Sequence, residues 1–193
     1  MATTLTTPVG KAVYPKLVTP DTKFNSDGVY TCKLIVSEED YTAFQAQLKP
    51  LVDQEYSKFC IAKGKDLPRA NEPVRINAEG EYEINAKQAA KTTTKSGETI
   101  EFNIALFDSE VKPITDEPNI GSGSKIKLSV SPYFWHVPSQ GFGYTLRLKA
   151  AQVLELVEYN AGGHGFTKES GFTQGESFDE VIIEEKTTEQ PNF

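Results

Sequence analysis

Cysteine, methionine, tryptophan and histidine are all scarce in this chain: two, one, one and two among 193 residues. Two cysteines, Cys32 and Cys60, cannot build a disulfide framework, and they read as buried free thiols. The histidines, His136 and His164, lie far from both cysteines and lack zinc-ligand spacing, so neither a metal site nor a cofactor is expected. No run approaches the ~20 apolar residues of a membrane-spanning helix, so no membrane partner is expected. The first residues, Met1 to Pro8, show neither a basic n-region nor an apolar h-region, and the expected location is a cytoplasm.

Catalytic patterns are missing too. Gly121-Ser-Gly-Ser-Lys125 is glycine-rich but lacks the Gly-x-x-x-x-Gly-Lys-Ser/Thr spacing, and it leads into a strand rather than a helix. That excludes a nucleotide-hydrolysing phosphate loop. Acidic residues are plentiful, yet no single element groups them as a two-metal nuclease does, and no nucleophile motif stands out. The chain reads as a binding protein and not as an enzyme.

What charge there is lies unevenly. The formal net charge is −7. Glu176, Asp179, Glu180, Glu184, Glu185 and Glu189 crowd the last twenty residues against Lys186 alone, so the rest of the chain is close to neutral. Screening confines charge effects to about 8–10 Å, so a near-neutral body can still carry a basic groove. Two segments follow: a folded domain over 1–159 and a flexible acidic tail over 160–193. In the tail, Phe178, Val181, Ile182, Ile183 and the final Phe193 disfavour a purely solvating role and suit docking into a basic, partly apolar pocket on another protein.

Within the domain, Lys11–Val18 and Val29–Val36 alternate as strands, the first interrupted at Pro15. Ser37 offers an N-cap, and Glu38, Glu39 and Asp40 suit the positive end of a helix. Tyr41, Phe44, Leu48, Val52, Tyr56 and Phe59 continue at helical spacing, with Pro50 expected to kink or split the helix. Residues 61–75 read as a loop, 80–88 and 99–107 as strands flanking a hairpin tip at Lys91–Gly97, and 108–124 as a long irregular connection. Six or seven uneven strands with one inserted helix predict a mainly β fold. The five-stranded Greek-key oligonucleotide-binding (OB) barrel is the first candidate and a β-sandwich the alternative.

The strand Lys125–Trp135 carries the functional signal. Ile126, Leu128, Val130 and Phe134 point one way; Lys125, Lys127, Ser129, Ser131, Tyr133 and Trp135 point the other. Cations for phosphates and flat rings for bases are what a single nucleic-acid strand requires of a protein face. In the next strand Tyr144, Leu146 and Leu148 alternate with Thr145, Arg147 and Lys149, across a Pro/Gly-rich loop at Val137–Gly143. Arg147 and Lys149 can therefore share the aromatic face. Pro132 predicts a bulge or an edge position. Lys87, Lys91, Lys95 and Lys11 complete the candidate DNA-binding set. Packing of the rings beneath the helix or in a dimer interface is the competing reading, and a β-barrel module that binds only proteins is the competing function.

The ordered run from Asp108-Ser-Glu-Val-Lys-Pro-Ile114 through Pro118-Asn-Ile-Gly-Ser-Gly-Ser-Lys-Ile-Lys-Leu128 to Pro132-Tyr-Phe-Trp135, with Gly10, Ala12, Tyr14, Pro20-Asp21 and Gly28-Val-Tyr30 before it, resembles the phage T7-type single-stranded DNA-binding proteins. The resemblance implies an OB core with a helix inserted after the early strands. It implies sequence-independent binding of single-stranded DNA in phage replication, recombination and repair, with annealing of complementary strands as a further role. It also implies a homodimer in the cytoplasm of an infected bacterium, and an acidic tail ending in phenylalanine that docks on the phage DNA polymerase and primase-helicase. Here the tail residues would be Phe178, Asp179, Glu180, Glu184, Glu185, Glu189 and Phe193. The chain departs from the family in having Asp27 where a basic residue precedes Gly28, and only Lys87 in a strand where the family has several basic residues.

Overall fold

Alternation of apolar and polar residues dictates most of the architecture. The computed structural model describes residues 3–94, 96–116 and 118–158. Its elements are β1 (Leu5–Thr6), β2 (Gly10–Asp21), β3 (Val29–Val36), α1 (Glu38–Lys63), β4 (Val74–Ile76), β5 (Tyr82–Ala89), β6 (Lys91–Thr93), β7 (Thr99–Glu101), β8 (Ala105–Phe107), β9 (Lys125–Val137) and β10 (Gly141–Glu155).

The pairing closes on itself. β2 pairs with β3, β3 with β5, β5 with β10, β10 with β9, and β9 returns to β2. All of these pairs are antiparallel except β5–β10. A five-stranded closed barrel with one parallel seam is the OB arrangement, and closure excludes the β-sandwich. Every second residue of β3 (Tyr30, Cys32, Leu34, Val36) faces the core, as do Ile126, Leu128 and Val130 of β9 and Leu146 and Leu148 of β10.

α1 leaves β3 and closes one end of the barrel. Ser37 caps it: its backbone is extended (φ −69°, ψ 160°) and its Oγ accepts from the amide of Asp40 at 3.1 Å. Gly64 ends it in the left-handed conformation that a helix C-terminus favours (φ 65°). The predicted apolar stripe packs inward: Phe44, Leu48 and Val52 are buried, and the rings of Tyr56 and Phe59 meet Phe142 of β10 with centroids 5.3 and 5.4 Å apart. The helix runs through Pro50 unbroken. Pro50 and Ala46, whose carbonyl loses its partner, are both exposed, so water can satisfy that group.

Several local expectations change. The predicted strand at 99–107 is two pieces: β7 pairs with β6 as a separate ribbon, whereas β8 joins β10. The Pro/Gly-rich loop is only Pro138–Gln140, and Phe142 within the expected loop is core. Pro132 causes no bulge: β9 and β10 keep unbroken register from Ser131 to Val137. The bulge falls on the partner strand, where Lys149 is the residue left over between the Leu148–Val130 and Ala150–Ser129 pairs. Pro132 is tolerated because β1 pairs with β9 only as far as Val130, so the other edge of β9 lies open beyond that point among the described residues. Cys32 is buried, and burial pushes its thiol up to about 12; Cys60 is also free but only partly buried.

Gly141 makes the tight turn into β10. Its φ is +85°, and a Cβ there would stand 2.0 Å from the carbonyl oxygen of Pro68. Strained backbone and backbone overlap together predict that Gly141→Ala costs about 2–5 kcal/mol. The urea midpoint of the variant, measured beside that of the parent chain, checks this; an unchanged midpoint would refute the proposed contact.

Candidate nucleic-acid interface

The outward residues of neighbouring strands fall into one lateral row. Ser131 of β9 lies opposite Arg147 of β10, Arg147 beside Lys87 of β5, Lys87 opposite Thr31 of β3, and Thr31 opposite Lys16 of β2. Four strand spacings of ~4.8 Å give this row a path of roughly 19 Å around the barrel wall. Lys16, Lys87 and Arg147 are all exposed. Among the described residues none of the three takes part in an ion pair, although eight such pairs occur elsewhere.

Aromatic groups sit at one end of the row. The Arg147 guanidinium carbon lies 3.6 Å from the centroid of the Tyr133 ring, so cation and ring form one stacked unit. Tyr133 remains 46% exposed. Trp135, two residues on, is only partly exposed. Its indole Nε1–H donates to Thr145 Oγ1 at 3.2 Å, and its six-membered ring lies on Gly143, where a Cβ would be 2.5 Å from Cη2 and Cζ2. Gly143 stands opposite Trp135 and Thr145 opposite Tyr133. The small residue and the hydroxyl therefore fix the indole, while Arg147 fixes the phenol. Ser131, expected on the open face, is buried, with its hydroxyl donating to the Thr3 carbonyl at 3.0 Å.

The sequence-predicted cations divide. Arg147 and Lys87 join the aromatics, with Lys149 adjacent on its bulge. Lys125 and Lys127 lie eight and six residues back along β9 from Tyr133, the farther one roughly 26 Å away at ~3.3 Å per residue. Lys11 of β2 stands opposite Lys125 and belongs to this second group. Lys125 is ion-paired with Glu155 at 2.8 Å, so it is not the free cation that parity suggested. Lys91 is tied to Glu101 at 2.8 Å, and that hydrogen bond holds its ammonium above the ordinary lysine value. Lys95 and the tail residues Phe178, Asp179, Glu180, Glu184, Glu185, Glu189 and Phe193 lie outside the described residues.

Two row members, Lys16 and Thr31, went unrecognised in the sequence, because only the register of β2 with β3 aligns them with Lys87. So did Lys33, which with Arg75 flanks the buried carboxylate of Glu83 at 3.6 and 3.1 Å. Phe24 is 91% exposed on the loop joining β2 to β3, with the Lys23 ammonium 5.4 Å from its ring centroid. A lysine-aromatic pair in a turn-rich segment was the available signal.

A cavity of about 160 Å³ opens between α1 and the barrel, lined in part by Asp53, Arg69, Glu72 and Tyr144. Its cation is already committed. Arg69 pairs with Asp53 at 3.0 Å and Glu72 at 3.9 Å, and lies 4.3 Å over the ring of Tyr56. Burial, reinforced by Glu72, drives the Tyr144 phenol well above its usual value. These contacts hold α1 to the barrel. No group of three or more metal-ligating side chains occurs among the described residues.

An OB barrel whose outer face combines a lateral row of free cations with a stacked arginine and two aromatic residues defines a nucleic-acid-binding class. Comparison with known proteins places the chain within it. The family model "Single-stranded DNA-binding protein, Bacteriophage T7" matches residues 9–156, and the chain belongs to that family. It is 28% identical to the single-stranded DNA-binding protein of Enterobacteria phage T3 over 156 residues, 76% of this chain and 67% of that protein. It is 28% identical to that of Escherichia phage T7 over 137 residues, 68% of this chain and 59% of that protein. The match thus spans about three fifths to two thirds of these relatives' length. In fold it is similar to the crystal structure of gp2.5, a single-stranded DNA-binding protein encoded by bacteriophage T7, with a TM-score of 0.73 at 22% identity, covering 91% of this chain and all of that one. The single-stranded DNA-binding protein of bacteriophage Enc34, in complex with ssDNA, gives 0.58 at 12% identity, covering 80% and 88%.

The contact between Gly143 and Trp135 is testable directly. Gly143→Ala should lift the indole off β10, red-shift the emission of the lone tryptophan and cost about 1–3 kcal/mol of stability. Emission spectra of the folded variant check this, and an unshifted maximum would contradict the packing described.

Proposed function

We propose that this chain binds single-stranded DNA without sequence preference and coats exposed strands during phage DNA replication, recombination and repair. Limiting hairpins in the coated strand would also assist annealing. The observation that carries the reading is the Arg147–Tyr133 stack beside Lys87, a ring and two cations with no carboxylate partner among the described residues. Phosphates replace their counterions with Lys16, Lys87 and Arg147, while bases stack on Tyr133, Trp135 or the guanidinium plane. Every base has a π-face, so stacking is indifferent to sequence. A duplex keeps its bases inside and cannot reach the rings.

Family membership and composition support a wider role. The acidic C-terminal segment, with its aromatic residues, is suited to dock on the phage DNA polymerase and primase-helicase, and to compete with DNA for the cationic row. Homodimerisation and action in the cytoplasm of the infected bacterium belong to the same reading.

Titration of the intact chain with oligo-dT at several salt concentrations tests it. The emission of Trp135, the sole tryptophan, should be quenched, with affinity falling steeply as salt rises. Lys87→Ala should reduce the slope of log K against log salt by about 0.7. Tyr133→Leu should weaken binding by about 1–3 kcal/mol. If neither quenching nor fluorescence anisotropy of labelled oligo-dT responds, even with residues 174–193 removed, the DNA-binding reading is wrong.

A further inference from the structure

β2 joins the two cationic groups, since Lys16 belongs to the lateral row and Lys11 faces Lys125. Between them stands Tyr14, 79% exposed. Its setting is not that of an incidental surface residue. The register of β2 against β3 slips between Val13 and Lys16, so that Tyr14 lies within a bulge. Ala12 and Leu17 on either side point into the core, while Tyr14 and Lys16 are both exposed. Tyr14 adopts φ +45°, a conformation that a bulky side chain rarely takes. The backbone is held there from outside the strand: the Tyr14 amide donates to Ser122 Oγ at 2.9 Å, and the amides of Ala12 and Gly123 exchange bonds with the carbonyls of Ser124 and Ala12 at 2.8 and 2.9 Å. Ser124 is fully buried, and its hydroxyl bonds the carbonyls of Gly121 and Val157, which anchors the clamping loop. A strained, clamped backbone that turns an aromatic ring into solvent is a feature that persists only where the surroundings enforce it.

We propose that Tyr14 is a further base-stacking platform, placed where the two cationic groups meet along β2. This rests on the DNA-binding reading and extends it. A strand stacked at Trp135 and Tyr133 crosses Arg147, Lys87 and Lys16, stacks again on Tyr14, and continues toward Lys11. The Gly121–Ser124 segment therefore acts as the clamp that presents the ring and is not itself a phosphate loop. A protein with two stacking stations about a barrel-width apart discriminates by oligonucleotide length: short strands engage one station and longer strands both.

The test uses the full chain and fluorescein-labelled oligo-dT of increasing length, read by anisotropy, with Trp135 quenching followed in parallel. Tyr14→Asn is the variant of choice, because asparagine tolerates positive φ and the bulge need not rearrange; Tyr14→Phe keeps the ring. For long oligonucleotides Tyr14→Asn should lose affinity by on the order of tenfold, and Tyr14→Phe should bind as the parent does. The shortest oligonucleotide that still quenches Trp135 should bind parent and Tyr14→Asn alike. Photocrosslinking of iododeoxyuridine-substituted oligo-dT to the parent chain, mapped by mass spectrometry, should label the peptide containing Tyr14. Three results would overturn the inference alone: parent-like affinity of Tyr14→Asn for long strands, an equal loss at every length, or an equal loss in Tyr14→Phe. Failure of the parent chain to bind any oligonucleotide would overturn the underlying function with it.

Discussion

One short parallel seam governs this molecule. Only Leu146–Ala86 and Arg147–Lys87 register β10 against β5, yet these pairs close the barrel and set the arginine of one strand beside the lysine of another. Parallel neighbours require a long crossover, and here β6 to β9 make it between β5 and β10. The helix, which precedes β5, meets β10 at Phe142, where its aromatic stripe packs. A slip of one residue at the seam would turn the charge of the slipped strand, Lys87 or Arg147, toward the core and its apolar neighbour, Ala86 or Leu146, toward solvent, so apolar burial on one side of the strands enforces the position of the charges on the other.

That coupling explains how an acidic chain can carry a cationic face. Carboxylates in the barrel are spent locally: Glu83 lies between Lys33 and Arg75, Asp53 and Glu72 hold Arg69, Glu101 holds Lys91, and Glu155 holds Lys125. None of these pairs reaches the row from Lys16 to Arg147. At physiological screening lengths, the local excess is what a phosphate meets, whatever the net charge. The aromatic end of the row is fixed by equally local means, an indole resting on a glycine and a phenol beneath a guanidinium.

The parts of the fold legible in the sequence are those where a single periodicity covers a whole element. β3 reads without ambiguity because the inward face of its eight residues is apolar throughout, and α1 because its stripe and its serine cap agree, although the helix runs on to Lys63 into the expected loop. The misread places are those where a residue's effect depends on its neighbour's partner. Proline in β9 suggested a bulge or an edge position; the edge position holds, since the open edge of β9 accommodates a missing N–H, while a bulge lies in β10 at Lys149. Pro50 suggested a broken helix, but it sits on the solvated side. Lys125 suggested a free cation until Glu155, thirty residues away, was seen to bind it.

The sequence by itself determined the fold class, the core-facing residues of the long strands, the capped helix, and the pairing of Tyr133 and Trp135 with Arg147, because each follows from local alternation and hairpin adjacency. The tertiary structure alone decided which cations stand with those rings. Lys87, Thr31 and Lys16 come from three strands remote in sequence, and their alignment is a consequence of barrel register, a non-local property. It also decided the exposure and strain of Tyr14, which arise from a hydrogen bond to a serine 108 residues away, a contact that no local pattern can encode.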